Sequence, residues 1–310
     1  MQYCPITLEP LPTEQCYSVA GLRSIHPKLT HLEPLEYSYE AQLREVRRRS
    51  DKMSIQGVQP KLSAVLKLKD CSFALVDRGG RFILKPNPLP YEEVPANEAL
   101  TMRMAAAVGI KVPVHGLLRA VDDSLVYFVK RYDREGRSGK VHVEDFAQLS
   151  GATRETKYDS SLERVVQLVD QFCTFPAIER PKLAKRLLFC FLTGNEDMHL
   201  KNFSVWVQDG VVSLTPAYDL LNTSLVLENA KEESALPLDR RKKKLTQKLW
   251  LDYFCKERLK LSEAQIGRII QELKDAMPVL EGLIRQSLLS EQLQLGYRKI
   301  LHDRTERLGI

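Results

Sequence analysis

Residues 194–203 read GNEDMHLKNF, directly after the apolar run Leu187–Leu192. Asp197 and Asn202 stand five apart in it. A carboxylate and a carboxamide in D-x-x-x-x-N spacing bring two functions to one loop. One group can orient or deprotonate a hydroxyl, and the other offers a carbonyl oxygen to Mg²⁺, as in phosphoryl-transfer enzymes. His199 is read as support for the loop or for a phosphate, because Asp197 already holds the base geometry. A short predicted hairpin follows, Phe203–Val207 and Val211–Leu214 joined by Gln208-Asp209-Gly210, and then Thr215-Pro216-Ala217-Tyr218-Asp219-Leu220. Asp219 stands where a second metal carboxylate is needed. Mg²⁺ takes one or two protein oxygens and leaves its other positions to phosphate and water, so Asn202 and Asp219 suffice as metal ligands.

The N-terminal half supplies a matching set. Ser54-Ile55-Gln56-Gly57-Val58-Gln59-Pro60-Lys61 precedes the alternating stretch Leu62–Lys69, the position of a loop whose backbone N–H groups face phosphates. Ser72–Val76 and Arg81–Lys85 flank the turn Asp77-Arg78-Gly79-Gly80, and Lys85 ends the third strand, where an ammonium clamps α- and β-phosphates. Glu98 could orient it from the next predicted helix, Asn97–Val108, which Gly109 ends as a left-handed cap. Val112–Leu118 and Leu125–Lys130 form a second hairpin, after which Lys130, Arg131 and Tyr132 would offer backbone groups to adenine. Helical spacing marks Tyr39–Arg49, Leu162–Phe172 and Pro181–Thr193, and Ser262 with Gln265 forms a capping box before Ile266, Ile269, Ile270 and Leu273. The fold expected is α+β and two-lobed, like a protein kinase: an extension over 1–49 packing on the N-lobe, a strand-rich N-lobe over 50–131, and a mainly helical C-lobe over 132–310. Each element is weak alone, and their order makes the set specific.

Composition bounds the rest. The 310 residues are 44% hydrophobic and 28% charged, which excludes a disordered, collagen-like or disulfide-knotted chain. No apolar run is long enough to span a bilayer. The N-terminal MQYCPITLEPLPTEQ has neither the basic nor the apolar region of a secretory signal. The six cysteines lack C-x-x-C pairs and read as free thiols in a reducing cytoplasm. Cys4, Cys16, His26 and His31 are a poor zinc set, because the cysteines are too far apart in sequence. The net charge of +6 is local: 239–260 holds nine basic and three acidic residues, which account for the whole excess. That segment reads as a solvated face ahead of a dock for an acidic partner or tRNA-bound substrate.

At these residues the chain resembles the HipA family of bacterial serine/threonine kinase toxins. The family's S-x-x-G-x-Q-x-K is met by Ser54, Gly57, Gln59 and Lys61, and its G-N-x-D-x-H-x-K-N-F by Gly194, Asn195, Asp197, His199, Lys201, Asn202 and Phe203. Its Y-D-L is met by Tyr218, Asp219 and Leu220, and Arg131-Tyr132-Asp133-Arg134 and Glu144-Asp145-Phe146 also look like family landmarks. The resemblance implies ATP-dependent phosphorylation of a protein serine, typically on an aminoacyl-tRNA synthetase such as the glutamate or tryptophan enzyme, which halts translation and growth. Asp197 is then the catalytic base. ATP is held by Gln56, Gly57, Val58, Gln59, Pro60, Lys61, Lys85, Lys130, Arg131, Tyr132, His199, Leu200, Lys201, Asn202, Tyr218, Asp219 and Leu220. Autophosphorylation falls on Ser54, as an inhibitory switch.

Long family members carry an extra N-terminal subdomain, and only 53 residues precede Ser54. The chain therefore looks like the short, HipT-like toxin of three-component systems. Its expected partners are a small antitoxin resembling the missing subdomain and a helix-turn-helix antitoxin that contacts DNA, with no membrane. Lys52 replaces the additional serine of some short toxins. The competing readings are a phosphoinositide- or small-molecule kinase of the same superfamily and a non-catalytic module binding nucleic acid through its basic stretch.

Overall fold

The computed structural model describes residues 2–49, 60–136, 139–227 and 232–310. Five antiparallel strands form the sheet of the N-terminal half, in the spatial order Ser72–Leu75, Leu62–Lys67, Phe82–Lys85, Leu125–Lys130, His115–Arg119. Their period-2 alternation sorts side chains between two cores. Leu62, Ala64, Phe82, Leu84, Leu118, Val126 and Phe128 face one core, where Phe73, Phe82 and Phe128 pack together, Phe73 on Phe82 edge-to-face at 5.0 Å. N-terminal residues cover that face: Cys4, Ile6, Leu22, Ile25, Leu29 and Leu35 are buried against it. Leu117 and Tyr127 point the other way, to the core shared with the helical half. Lys85 is one residue past Leu84 and pairs in register with Tyr127, so its side chain takes this second face.

The helix Val94–Ala107 lies on that face with 11 of its residues buried, between the sheet and the helix Glu263–Gln286. It starts three residues before the expected Asn97, because Pro95 sits in the first turn, where a missing N–H costs nothing. Gly109 does adopt a left-handed backbone, with φ +78°. Pro176–Leu192 likewise begins a turn and a half before the expected Pro181. Leu162–Phe172 has its expected bounds, with the Ser161 side chain accepting from Arg164 N. Each fully buried Leu or Phe of this half, such as Leu183, Phe189 and Leu192, contributes roughly 1.5–3 kcal/mol.

Two further elements depart from the sequence reading. Val143–Asp145 is a strand that pairs with Ser204–Gln208, itself paired with Val211–Leu214, so the small hairpin is a three-stranded sheet. Its extra strand is only three residues long and carries little signal of its own. The basic segment contains a wide π-helix, Leu249–Arg258, whose Leu249, Trp250, Phe254 and Cys255 are buried. The segment is therefore amphipathic and anchored, not wholly solvated. Among the described residues no helix is long and apolar enough to cross a membrane, and no cluster of three or more His, Cys, Asp or Glu could hold a metal ion.

Candidate active site

Gly194 opens the loop for two reasons. Its φ is +67°, and a Cβ there would stand 2.8 Å from Asn222 Oδ1. The helix Pro176–Leu192 therefore ends in a left-handed turn packed against the start of Thr223–Val226. Local bonds then shape the loop. Asn195 Oδ1 accepts from the Asp197 amide at 3.1 Å, Thr223 Oγ1 accepts from the Glu196 amide at 2.7 Å, and Asn202 Nδ2 donates to Asp197 O at 2.7 Å. The last bond commits the Asn202 amide nitrogen, so Oδ1 is the atom of that side chain left to accept a ligand.

Asp197 keeps half of its side chain exposed. The Tyr158 hydroxyl donates to its Oδ1 at 2.6 Å, while its Oδ2 lies 4.0 Å from His199 Nε2. His199 is buried, and burial with the Lys157 ammonium holds its pKa down despite Asp197. The imidazole is thus neutral near pH 7, and its Nε2 accepts from Lys157 Nζ at 2.8 Å. Tyr158 stacks edge-to-face on the His199 ring at 5.0 Å.

The opposite wall sets a buried Lys85–Glu98 pair against Asp219, whose side chain is partly exposed. Lys85 Nζ lies 2.5 Å from Glu98 Oε1 and also donates to Asp219 Oδ1, while Lys61 Nζ is 3.3 Å from Asp219 Oδ2. Burial alone would lower the Lys85 pKa, but Asp219 and Glu98 outweigh it and the ammonium is held charged. Burial pushes Glu98 up against the pull of Lys85. Asp219 is held well below the usual carboxylate range, because Lys61 and Lys85 outweigh its burial. Asp219 has φ +53°, a left-handed backbone that Asp tolerates better than most residues and that turns its carboxylate toward the lysines. Asn97, one residue before Glu98, accepts from the Asn222 amide and donates to its carbonyl, both at 3.0 Å, tying this helix to the loop after Asp219.

Both walls line one cleft of about 530 Å³, which includes Lys61, Lys85, Glu98, Asp197, Asn202 and Asp219. His199, Lys201 and Tyr218 line it as well, with the Tyr218 hydroxyl donating to Lys201 O at 2.9 Å. Leu200 and Leu220 are core residues instead, and Phe203 is buried beside them. They hold the two loops from beneath. Lys130 and Arg131 have committed their amides to Val114 O and Arg81 O, and Arg131 pairs with Asp133 at 2.6 Å. Tyr132 packs its ring 5.7 Å from that of Tyr218. These three residues are not among those that line the cleft. Ser54, Gln56, Gly57, Val58 and Gln59 lie outside the described residues, while Pro60 is half-buried at the edge of them.

The donor set suits Mg²⁺. Asn202 Oδ1 and the Asp219 carboxylate are hard oxygens on facing loops, and Asn202 cannot turn its nitrogen outward without losing the bond to Asp197 O. Sequence reading missed Lys157 and Tyr158, which stand some 40 positions before the residues they touch. It also missed Glu196, whose carboxylate binds the Ser224 hydroxyl and lies 3.7 Å from Arg304 of the last helix, Glu291–Leu308. None of these carries a local signature.

The architecture is that of kinase folds. The Shewanella oneidensis HipA, solved with HipB and operator DNA, superposes with a TM-score of 0.69 at 22% identity over 91% of this chain and 74% of that one. The Helicobacter pylori proinflammatory kinase CtkA superposes at 0.54 with 15% identity, over 73% and 86%. The chain belongs to the HipA-like C-terminal domain family, whose model matches residues 53–280. A Haemophilus influenzae protein named "Putative kinase" is 30% identical over 72% of this chain and 69% of its own length. The Shewanella serine/threonine-protein kinase toxin HipA is 27% identical over 61% of this chain, and the match spans 47% of that toxin.

Proposed function

We propose that the chain is an ATP-dependent protein serine/threonine kinase acting as the toxin of a toxin–antitoxin system. The observation that carries this reading is the convergence of Lys85, Asp219 and the Asp197/Asn202 loop on one cleft from three separate stretches of chain. Lys85, held by Glu98, takes the α/β-phosphates of ATP and in doing so releases Asp219 Oδ1. Lys61 moves from Asp219 Oδ2 toward the phosphates in the same way. Asn202 and Asp219 would then hold Mg²⁺. The ion, when bound, supplies neutralisation of the charge on the transferred phosphoryl group. Asp197 accepts the proton of the serine hydroxyl at Oδ2, with Tyr158 holding Oδ1. The hydroxyl oxygen bonds to the γ-phosphorus as its bond to the bridging oxygen breaks, and ADP leaves.

Family resemblance supplies the finer reading: an aminoacyl-tRNA synthetase as substrate in the cytoplasm, Ser54 as autophosphorylation site, a small antitoxin and a helix-turn-helix antitoxin as partners, and DNA reached only through them. The solved complex of Shewanella HipA with HipB and operator DNA supports an antitoxin partner. A phosphate of about −2 charge on Ser54 would repel ATP and switch the enzyme off.

The test is co-expression followed by peptide mass spectrometry, comparing the wild type with Asp197→Asn. Phosphate on Ser54 and on one host protein, both lost in the variant, is the expected result. The same pattern from both chains, or phosphate on lipid alone, would overturn the proposal.

A further inference from the structure

A second pocket, of about 270 Å³, opens between the Gly109–Lys111 turn, the helix Pro176–Leu192 and the strands Ser204–Gln208 and Val211–Leu214, and it shares no lining residue with the cleft. Its chemistry is unbalanced. Arg186 lines it and is 4% exposed. Its Nη2 donates to Thr215 O at 2.7 Å, but its Nε and Nη1 have no hydrogen-bond partner among the described residues. No carboxylate forms an ion pair with it there either. The nearby Glu179 spends its oxygens on Lys182 Nζ at 2.7 Å and the Leu214 amide at 3.1 Å. Thr215 also lines the pocket, and its hydroxyl lies against that of Tyr132. A buried guanidinium without a counter-ion is unfavourable, and a bound anion removes that penalty.

Three ammonium groups join it. Lys111 Nζ sits 5.0 Å from the Trp206 ring centroid, Lys182 pairs with Glu179, and Lys185 Nζ lies 2.8 Å from Glu272 Oε2. Four cations against two carboxylates leave the surroundings with a charge of +2. Guanidinium, ammonium and hydroxyl are donors arriving from several elements, which suits the oxygens of a tetrahedral oxyanion better than the two coplanar oxygens of a carboxylate. The volume fits a small ligand and lies below the usual range for a drug-sized one.

We propose that this pocket binds a phosphate-class oxyanion, either free phosphate or the phosphoryl group of a small phosphomonoester. An occupant would touch Thr215, four residues before Asp219. Lys111, which lines the pocket, accepts through its carbonyl from the Ala217 amide at 2.7 Å, so the same occupant would touch one end of a tie that steadies this segment.

Trp206 is a built-in reporter. The full chain is titrated with inorganic phosphate and, separately, with O-phosphoserine at constant ionic strength, following tryptophan emission. The expected result is a saturable change that Trp206→Phe abolishes, that the double variant Lys182→Gln/Lys185→Gln weakens at least tenfold, and that Lys61→Gln, in the ATP cleft, leaves unchanged. Thermal melts of each variant confirm that the fold is intact. Tighter saturation by phosphate assigns the free ion, and tighter saturation by O-phosphoserine assigns a phosphomonoester. A response that never saturates, that survives the double variant or that disappears with Lys61→Gln would overturn the proposal. So would succinate binding as tightly as either phosphate.

Discussion

The two walls of the cleft hold their charges in opposite ways. On the phosphate side, Lys85 and Glu98 have side chains only 2% exposed and depend on each other and on Asp219 for compensation. On the acceptor side, Asp197 is half exposed and water shares its solvation with Tyr158. A charge kept from water by its neighbours serves stability and function at once, whereas a charge that water reaches can be altered with little cost to the fold.

The sharpest attempt to break that contrast is Asp197→Asn. Phosphoryl transfer should fall by about 100- to 10,000-fold, the usual weight of a positioned base, with the thermal midpoint nearly unchanged. A large loss of stability would mean that the acceptor side is structural after all. Lys85→Met should do the reverse. Stranding Glu98 and Asp219 is expected to cost about 3–5 kcal/mol in denaturant unfolding and to weaken ATP binding more than the acceptor step. A variant as stable as the wild type would contradict the sealed-wall picture.

Acid titration sharpens the comparison further. His115, in the same sheet, is buried and its pKa is pulled down to about 4 by burial, against the pull of Pro113 O. The unfolded chain takes up a proton near pH 6.5 and the native one only near 4. Stability is therefore present above pH 6.5 and lost as pH falls toward 4, by about 3 kcal/mol from this group. His115→Phe should flatten that slope in denaturant melts across pH 4–7. The smallest effect is expected at Tyr158→Phe, which frees Asp197 Oδ1 to rotate. The turnover number should drop about tenfold, close to one hydrogen bond to a charged group, with KM for ATP unchanged. A higher KM for ATP would place Tyr158 on the phosphate side.

Much of this was legible in the linear chain, for identifiable reasons. Alternation over Leu62–Lys67 and Leu125–Lys130, the turn at Gly79-Gly80, the Ser262 capping box and the D-x-x-x-x-N spacing are local patterns, and local physics reads them. Lys85 and Glu98 were found because strand end and following helix place them 13 residues apart in sequence. Leu200 and Leu220 stand inside the motifs, and their side chains are buried in the core, which no spacing in the sequence reveals. The partners of Asp197 and His199 come from residues 157 and 158, and no period or spacing connects a side chain to a loop so distant in sequence.

The sequence by itself determined most of the order of elements, the α+β class and the family, and it singled out Lys85, Asp197, Asn202 and Asp219 among the lining of the cleft, because each rests on short-range spacing or on a motif. Only the tertiary structure decided which charges are sealed and which are open, because burial depends on chain segments far apart in sequence. It showed Lys85 bridging Glu98 and Asp219, Asp219 in a left-handed backbone, and Arg186 buried beside Thr215 without a counter-ion. It also divided the basic excess that composition reports as a single +6, because Trp250 and Phe254 sink into the core and hold one face of that segment there.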